Sequence, residues 1–372
     1  MLGIMLKIID KFLSKRTLCS FSILLGLFVS HAECATEELG GKPVSEWISQ
    51  LKSDNRGLQV RAARALAEAP AELRPAIISQ IIPLLKSERE NDRFVAAQVL
   101  GEYGPSARVA VPELLPLLKG TQYERNRAAA AKALGQILKD AEPSEEVNKV
   151  AEALAAKFNE DYDPYSDVRR EAVRAIGMIG PAARCVIPKL TRALTDYKKY
   201  SEEHQMVRQQ AAWACGQMGP AAAEHMDRLI SMLHAEGHEV PEIVEAIGKI
   251  GAINDNVVPN IIDKMEGSSY RWMSFHIAAL KALQRFGAKS KPAVTYIIRI
   301  LQERGTAHAG QFSLDWRIEA VKLLASIGAE AREALPLLEK LKNATIPGAS
   351  KEGIEKFQVE VANAIKAISQ SK

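Results

Sequence analysis

Between residues 43 and 369 apolar and small residues recur at helical spacing, in segments of about 10 to 15 residues separated by Gly-Pro or polar turns. Val168, Ala172, Ala175, Ile176 and Ile179 form one apolar face of such a segment. A small residue recurs near the end of each alternate segment. Leu100-Gly101, Leu134-Gly135, Ile176-Gly177, Cys215-Gly216 and Ile247-Gly248 are the clear copies. Leu66-Ala67, Leu283-Gln284, Leu324-Ala325 and Ile365-Lys366 are looser ones. The nine positions lie 32 to 42 residues apart, the length of a two-helix unit that buries its apolar face only against a neighbour. The closing glycine at 104, 180 or 219 suits a left-handed helix C-cap, and the proline behind it opens the next helix. Pro112, Pro188 and Pro336 should kink or restart that helix, which is the first of each pair. These patterns predict an all-α, right-handed α-solenoid of about nine helical hairpins over residues 43 to 372, free of strands and roughly 70 to 90 Å long. Trp47 in an opening helix and a final helix around Phe357 to Ile368, with Lys366 at the small-residue position, suit caps at the two ends.

Asp167-Val168-Arg169, Asp315-Trp316-Arg317, Asp92-Arg93, Arg127 and Val207-Arg208 open the alanine-rich second helices. With the Gly-Pro junctions, this arrangement resembles HEAT repeats, especially the bacterial HEAT-like variety also seen in phycobilin lyases. The resemblance implies a ladder of Asp and Arg side chains tying neighbouring units, here Arg93, Arg127, Asp167, Arg169, Arg208, Asp315 and Arg317. Units at Val240 and His276 depart from the pattern and leave that ladder broken in the middle.

Residues 1 to 32 stand apart. Lys7, Lys11, Lys15 and Arg16 precede an apolar stretch from Leu18 to Val29, then Ser30-His31-Ala32, which reads as a signal peptide cleaved after Ala32. Retained, it is the chain's sole predicted membrane attachment. His31 and Glu33 interrupt the apolar run that a lipid-modified Cys34 requires. Residues 33 to 42 then form a short linker, and the predicted location is periplasmic or extracellular. Without the first 32 residues the chain carries 45 basic and 44 acidic side chains, a balance that gives no footing for nucleic acid.

No phosphate-binding glycine loop, nucleophile elbow, paired CxxC or HExxH motif occurs, so no catalytic residue, metal or cofactor is predicted. His234, Glu236 and His238, with His225 nearby, are the best metal-ligand types, but Gly237 breaks the register that would align them. Deoxyhypusine hydroxylase, a HEAT-type enzyme, uses several His-Glu pairs; here only His238-Glu239 matches. The acidic loop Glu160 to Asp167 lacks EF-hand spacing and reads as a solvated turn, with Asp167 capping the next helix. Cys185 and Cys215 fall at the same end of one hairpin, within reach of a disulfide, although Cys215 occupies an ordinary core position. Three residues before each small residue the series reads Arg64, Gln98, Lys132, Arg174, Trp213, Glu245, Lys281, Lys322 and Asn363, five of the nine basic. Lys132, Arg174, Trp213, Lys281 and Lys322 are therefore the candidate partner-binding residues, expected to line the concave face. Together these readings describe an exported, monomeric, non-enzymatic scaffold whose partner is a protein, acidic in character, or another polyanion. A lyase-like or cofactor-handling protein and a nucleic-acid-binding repeat protein are the alternatives.

Overall fold

The computed structural model describes residues 38–119, 123–196, 202–235, 241–251, 254–268, 272–303, 312–344, 346 and 348–370. The predicted signal peptide and the first part of the linker lie outside the described residues, as do Glu236, His238 and Val240. The chain divides into two compact units, with the boundary after Gln80.

The first unit opens with a pair of two-residue strands, β1 (Glu38–Leu39) and β2 (Lys42–Pro43), paired antiparallel. This corrects the expectation of a strand-free chain: Gly40 and Gly41 both take positive φ, which closes a tight two-residue turn. Part of the predicted linker is thus folded. Trp47 Nε1 donates to the Leu39 carbonyl at 2.8 Å, fastening the pair to α1 (Val44–Leu51). Val44, Trp47, Ile48 and Leu51 form the buried stripe of α1. The next helix, α2 (Arg56–Ala67), starts where Asn55 accepts from the Gly57 and Leu58 amides, and Gln59 of α2 ties back to the Leu51 carbonyl. A third helix, α3 (Arg74–Ile81), carries the chain across the boundary.

The second unit is a run of helical pairs. After a 3-10 turn (Ile82–Lys86) come α4 (Glu90–Glu102), α5 (Val111–Lys119), α6 (Glu124–Ile137), α7 (Glu145–Ala156) and α8 (Ser166–Ile179). Then follow α9 (Leu190–Leu194), α10 (Glu202–Met218), α11 (Met226–Ala235), α12 (Pro241–Ile250), α13 (Val257–Gly267) and α14 (Met273–Phe286). The chain closes with α15 (Ala293–Glu303), α16 (Phe312–Ile327), α17 (Leu335–Leu341) and α18 (Lys351–Gln370). From α4 on, each even-numbered helix packs directly on the next even-numbered one, while the odd-numbered helices and their 3-10 turns cover the other side. The unit is an α-solenoid, and all nine predicted small-residue positions across the chain fall in the second helix of a pair.

Gly104, Gly180, Gly219, Gly251, Gly287 and Gly328 all take positive φ at the end of a second helix. Behind four of them a 3-10 turn breaks at Ala107, Ala183, Ala222 or Ala331. Pro112 and Pro336 then open α5 and α17, and Pro188 lies in the turn before α9, so these prolines restart the helix and do not bend an intact one.

One contact sets the spacing of the second helices. In α4, α6, α8, α10 and α12 the glycine meets the alanine two places before the small residue of the next second helix. A Cβ added at Gly135 would lie 2.5 Å from Ala175 Cα, at Gly216 2.9 Å from Ala246 Cα, and at Gly248 2.8 Å from Ala282 Cα. The backbones there are as close as the absence of a side chain permits. The side chain following the next small residue then lies over the gap: Gln136 at Gly101, Met178 at Gly135, Lys249 at Gly216 and Arg285 at Gly248.

Candidate interaction surface

Two side-chain systems run along the second helices. The first is buried and fixes the geometry. Arg127 of α6 grips Asp163 with Nε at 2.6 Å and Nη2 at 3.1 Å, reaching from one pair to the next. Arg169 of α8, fully buried, donates to the Asp163 carbonyl within its own pair at 2.8 Å and to Asp196 Oδ2 in the next at 2.8 Å. Arg208 of α10 repeats the inner half of this pattern, donating to the Asp196 carbonyl at 3.1 Å. Upstream, Arg93 donates to the Ser87 carbonyl and, with the Asn126 amide turned to present its oxygen, to Asn126. Arg93, Arg169 and Arg208 thus clamp their own turns, while Arg127 and Arg169 hold the acid in the turn of the following pair. These charge-assisted, desolvated contacts are costly to break.

The acids differ from those expected. Asp167 is exposed and pairs with Arg170 at 2.7 Å, and Asp315 is also exposed. Residues two apart on a helix do not face each other, so Asp167 cannot follow Arg169 inward. The ladder acids are Asp163 and Asp196, in the turns ahead of α8 and α10. This also corrects the solvated reading of the loop at 160 to 167, since Asp163 is buried. Nor does Asp167 cap α8: the cap position is Tyr165, with no side-chain cap. Tyr162 donates to Asp196 Oδ1 at 2.8 Å, and burial followed by that carboxylate pushes its phenol above the ordinary value. Arg317 is buried in α16, while His276 takes the corresponding place in α14, edge-on to Phe275.

The second system is the predicted row. Arg64 lies in the first unit, exposed and paired with Glu68 at 3.1 Å. In the second unit Gln98, Lys132, Arg174, Trp213, Glu245, Lys281, Lys322 and Asn363 occupy one register position on successive second helices, each exposed or half-buried. The structure therefore brings the five candidate residues onto one strip in the order of their helices. Their environments differ. Lys132 pairs with Glu102 at 3.6 Å, Arg174 with Glu171 at 4.0 Å, and Lys322 with Glu319 at 3.1 Å. Trp213 leans over Gly177, where an added Cβ would meet its ring at 2.3 Å. Its indole is thus partly packing material between α8 and α10, where the sequence suggested a wholly outward anchor. With its amide turned so that the oxygen faces these donors, Gln217 accepts from Trp213 Nε1 at 3.1 Å and from Lys249 Nζ at 2.9 Å, joining α10 to α12. Lys249 and Arg285, absent from the predicted set, flank the row. The signal for them was present in the sequence, as the residue directly after each small position.

Cys185 and Cys215 are both free thiols, which corrects the suggested bridge. Cys185 is exposed and Cys215 fully buried, and burial pushes the Cys215 thiol up to about 12. His225 is also buried and bonds across pairs to the Ile187 carbonyl at 2.8 Å, and His234 bonds Asn260 at 2.9 Å. No group of three or more His, Cys, Asp or Glu side chains is placed to hold a metal ion among the described residues. No helix among them is long and apolar enough to cross a membrane.

A family model described as HEAT repeats matches residues 44–135 and 151–248. No curated protein matches the sequence. Among solved structures, a Kap121p mutant resembles the chain with a TM-score of 0.64 at 15% identity, over 88% of this chain and 40% of that one. Importin beta gives 0.59 at 17% identity, over 88% and 46% respectively. The E. coli protein YibA gives 0.53 at 17% identity, over 86% and 98%. The chain thus spans less than half of Kap121p and of importin beta and nearly all of YibA, and at these identities the likeness is one of fold.

Proposed function

Because the chain belongs to the HEAT-repeat family, whose model covers more than half of it, we propose that it is an exported, non-enzymatic scaffold that binds a protein partner along the exposed row of its second helices. The observation that carries this reading is the row itself. One register position, repeated on α4 to α18, gives a continuous strip of exposed or half-buried polar and basic side chains with Trp213 at its middle. A buried ladder and backbone-tight helix contacts hold the strip in a fixed geometry, and a preformed surface loses little entropy on binding. Structures of Kap121p bound to Nup53p, Ste12p and Pho4p give precedent for a solenoid of this fold holding protein segments. Export rests on the N-terminal sequence, and on that reading the mature protein begins at Glu33.

The test is affinity capture from the compartment outside the cytoplasmic membrane, followed by binding measurements with charge-reversed variants of the row. A captured protein whose affinity falls when Arg174→Glu and Lys281→Glu are combined, with melting unchanged, supports the proposal. Affinity indifferent to the row, or a protein recovered in the cytoplasm with Met1 intact, overturns the binding face or the export respectively.

A further inference from the structure

The row is uneven in a way that its register does not show. Lys132, Arg174 and Lys322 each have a glutamate within ion-pair distance. Lys281 and Arg285 have none among the described residues, although both are exposed and lie four apart on α14, where like charges repel. Lys249 of α12 reaches back toward α10, its stem over Gly216 and its ammonium on Gln217, and so marks the α10 side of this cation pair. Arg285 crosses the α12–α14 contact, its stem near Gly248, and Lys322 follows on α16. A helix face that keeps two cations without an internal counter-charge, between two further cations, is complementary to charge from outside.

We propose that Lys249, Lys281, Arg285 and Lys322 form the recognition site for a carboxylate-bearing polypeptide segment, with Trp213 as the apolar platform beside it. This rests on the reading of the row as the binding face and narrows it to one stretch and one partner chemistry. Two glutamates decide between an acidic peptide and a continuous polyanion. Glu245 is exposed one turn before Lys249, and Glu319 sits beside Lys322. A densely charged glycan or nucleic acid laid across α12 to α16 meets both. A peptide can put neutral side chains opposite the glutamates and carboxylates opposite Lys281 and Arg285. The Trp213-Gln217-Lys249 chain puts an indole beside the nearest cation, which suits a segment with an apolar residue next to its acidic ones.

The experiment uses the full chain and three fluorescent or competing probes. They are a peptide with four glutamates interspersed among alanines and one leucine, the same peptide with glutamine for glutamate, and a heparin fragment of similar length. Binding is read by anisotropy at low and moderate salt for the parent, for Lys281→Glu with Arg285→Glu, and for Lys132→Glu with Arg174→Glu. The expected result is salt-sensitive binding of the glutamate peptide alone, weakened at least tenfold by the first pair and less than threefold by the second. If the second pair weakens binding as much as the first, or more, the row stands as the binding face and this assignment fails. If neither pair matters, the reading of the row fails as well. Heparin binding tighter than the peptide, and lost with the first pair, overturns the polypeptide assignment in favour of a polyanion. A parallel melting curve for each variant separates loss of binding from loss of fold.

Discussion

The stretch from α4 to α12 and the stretch from α14 to α18 build the same helix-on-helix contact by different means. In the former a glycine lies against the backbone of the next second helix, and buried arginines tie the turns together. In the latter the small position of α14 is Gln284, whose Nε2 donates to both the carbonyl and Oε2 of Glu319, each at 2.9 Å. The facing residue two places before Ala325 is Leu323, buried, where the glycine contacts have alanine. At the ladder position of α14 stands the buried His276 in place of an arginine. The comparison teaches that the repeat does not demand glycine or arginine. It demands a satisfied contact, either close backbone approach with a charged clamp or a longer side chain that brings its own hydrogen bonds.

The sharpest break in this comparison is Arg169→Met. It removes the guanidinium from the buried Asp196 carboxylate, leaving the Tyr162 hydroxyl on Oδ1, and should cost about 3 to 5 kcal/mol in denaturant unfolding. Adding Asp196→Leu should recover part of that loss, and His276→Leu should cost clearly less than Arg169→Met. A loss at Arg169 no larger than at His276 would mean that the ladder is ornamental.

Next come the glycines. At Gly135 an added Cβ meets backbone, whereas at Gly177 the nearest obstacle is the ring of Trp213, which can swing away. Gly135→Ala should therefore destabilise more than Gly177→Ala, and Gly177→Leu should cost more than about 2 kcal/mol. Trp213→Ala should lessen the cost of Gly177→Ala, a coupling readable in a double-mutant cycle. Additive losses would place Trp213 away from the α8–α10 contact.

Gln284→Leu is milder, about 1 to 2 kcal/mol, because it removes side-chain hydrogen bonds without forcing backbones apart. The smallest effect is chemical. The Cys215 thiol is raised from an ordinary 9.0 to about 12 by burial. The folded protein therefore keeps its proton where the unfolded chain loses it. This contribution to stability is present below pH 9 and is lost as the pH rises from there toward 12. At neutral pH, thiol labelling with peptide mapping should modify Cys185 and leave Cys215 unreacted until the protein unfolds.

Much of the architecture was legible because it rests on local and periodic signals. A left-handed glycine, a proline that reopens a helix and a small residue once per unit each act through backbone sterics, and these hold in any context. The same register placed the exposed row, since a position fixed relative to the buried stripe is fixed relative to solvent as well. The short strand pair escaped that reading because it occurs once, so no repetition announced it.

The sequence by itself determined the helical pairs, their number and the face that each helix buries, because hydrophobic periodicity and turn chemistry are properties of adjacent residues. Only the tertiary structure decided which groups meet across pairs. Asp163 and Asp196 follow Arg127 and Arg169 by 36 and 27 residues, a separation with no fixed value, so nothing along the chain singles them out from Asp167. Trp213 seats itself on Gly177 because that glycine leaves a gap, a fact about two helices and not about either. Lys281 in the row and Arg285 beside it stand out for the same reason: an ion pair is made or missed in space, and the charges of a sequence carry no record of which neighbour each will find.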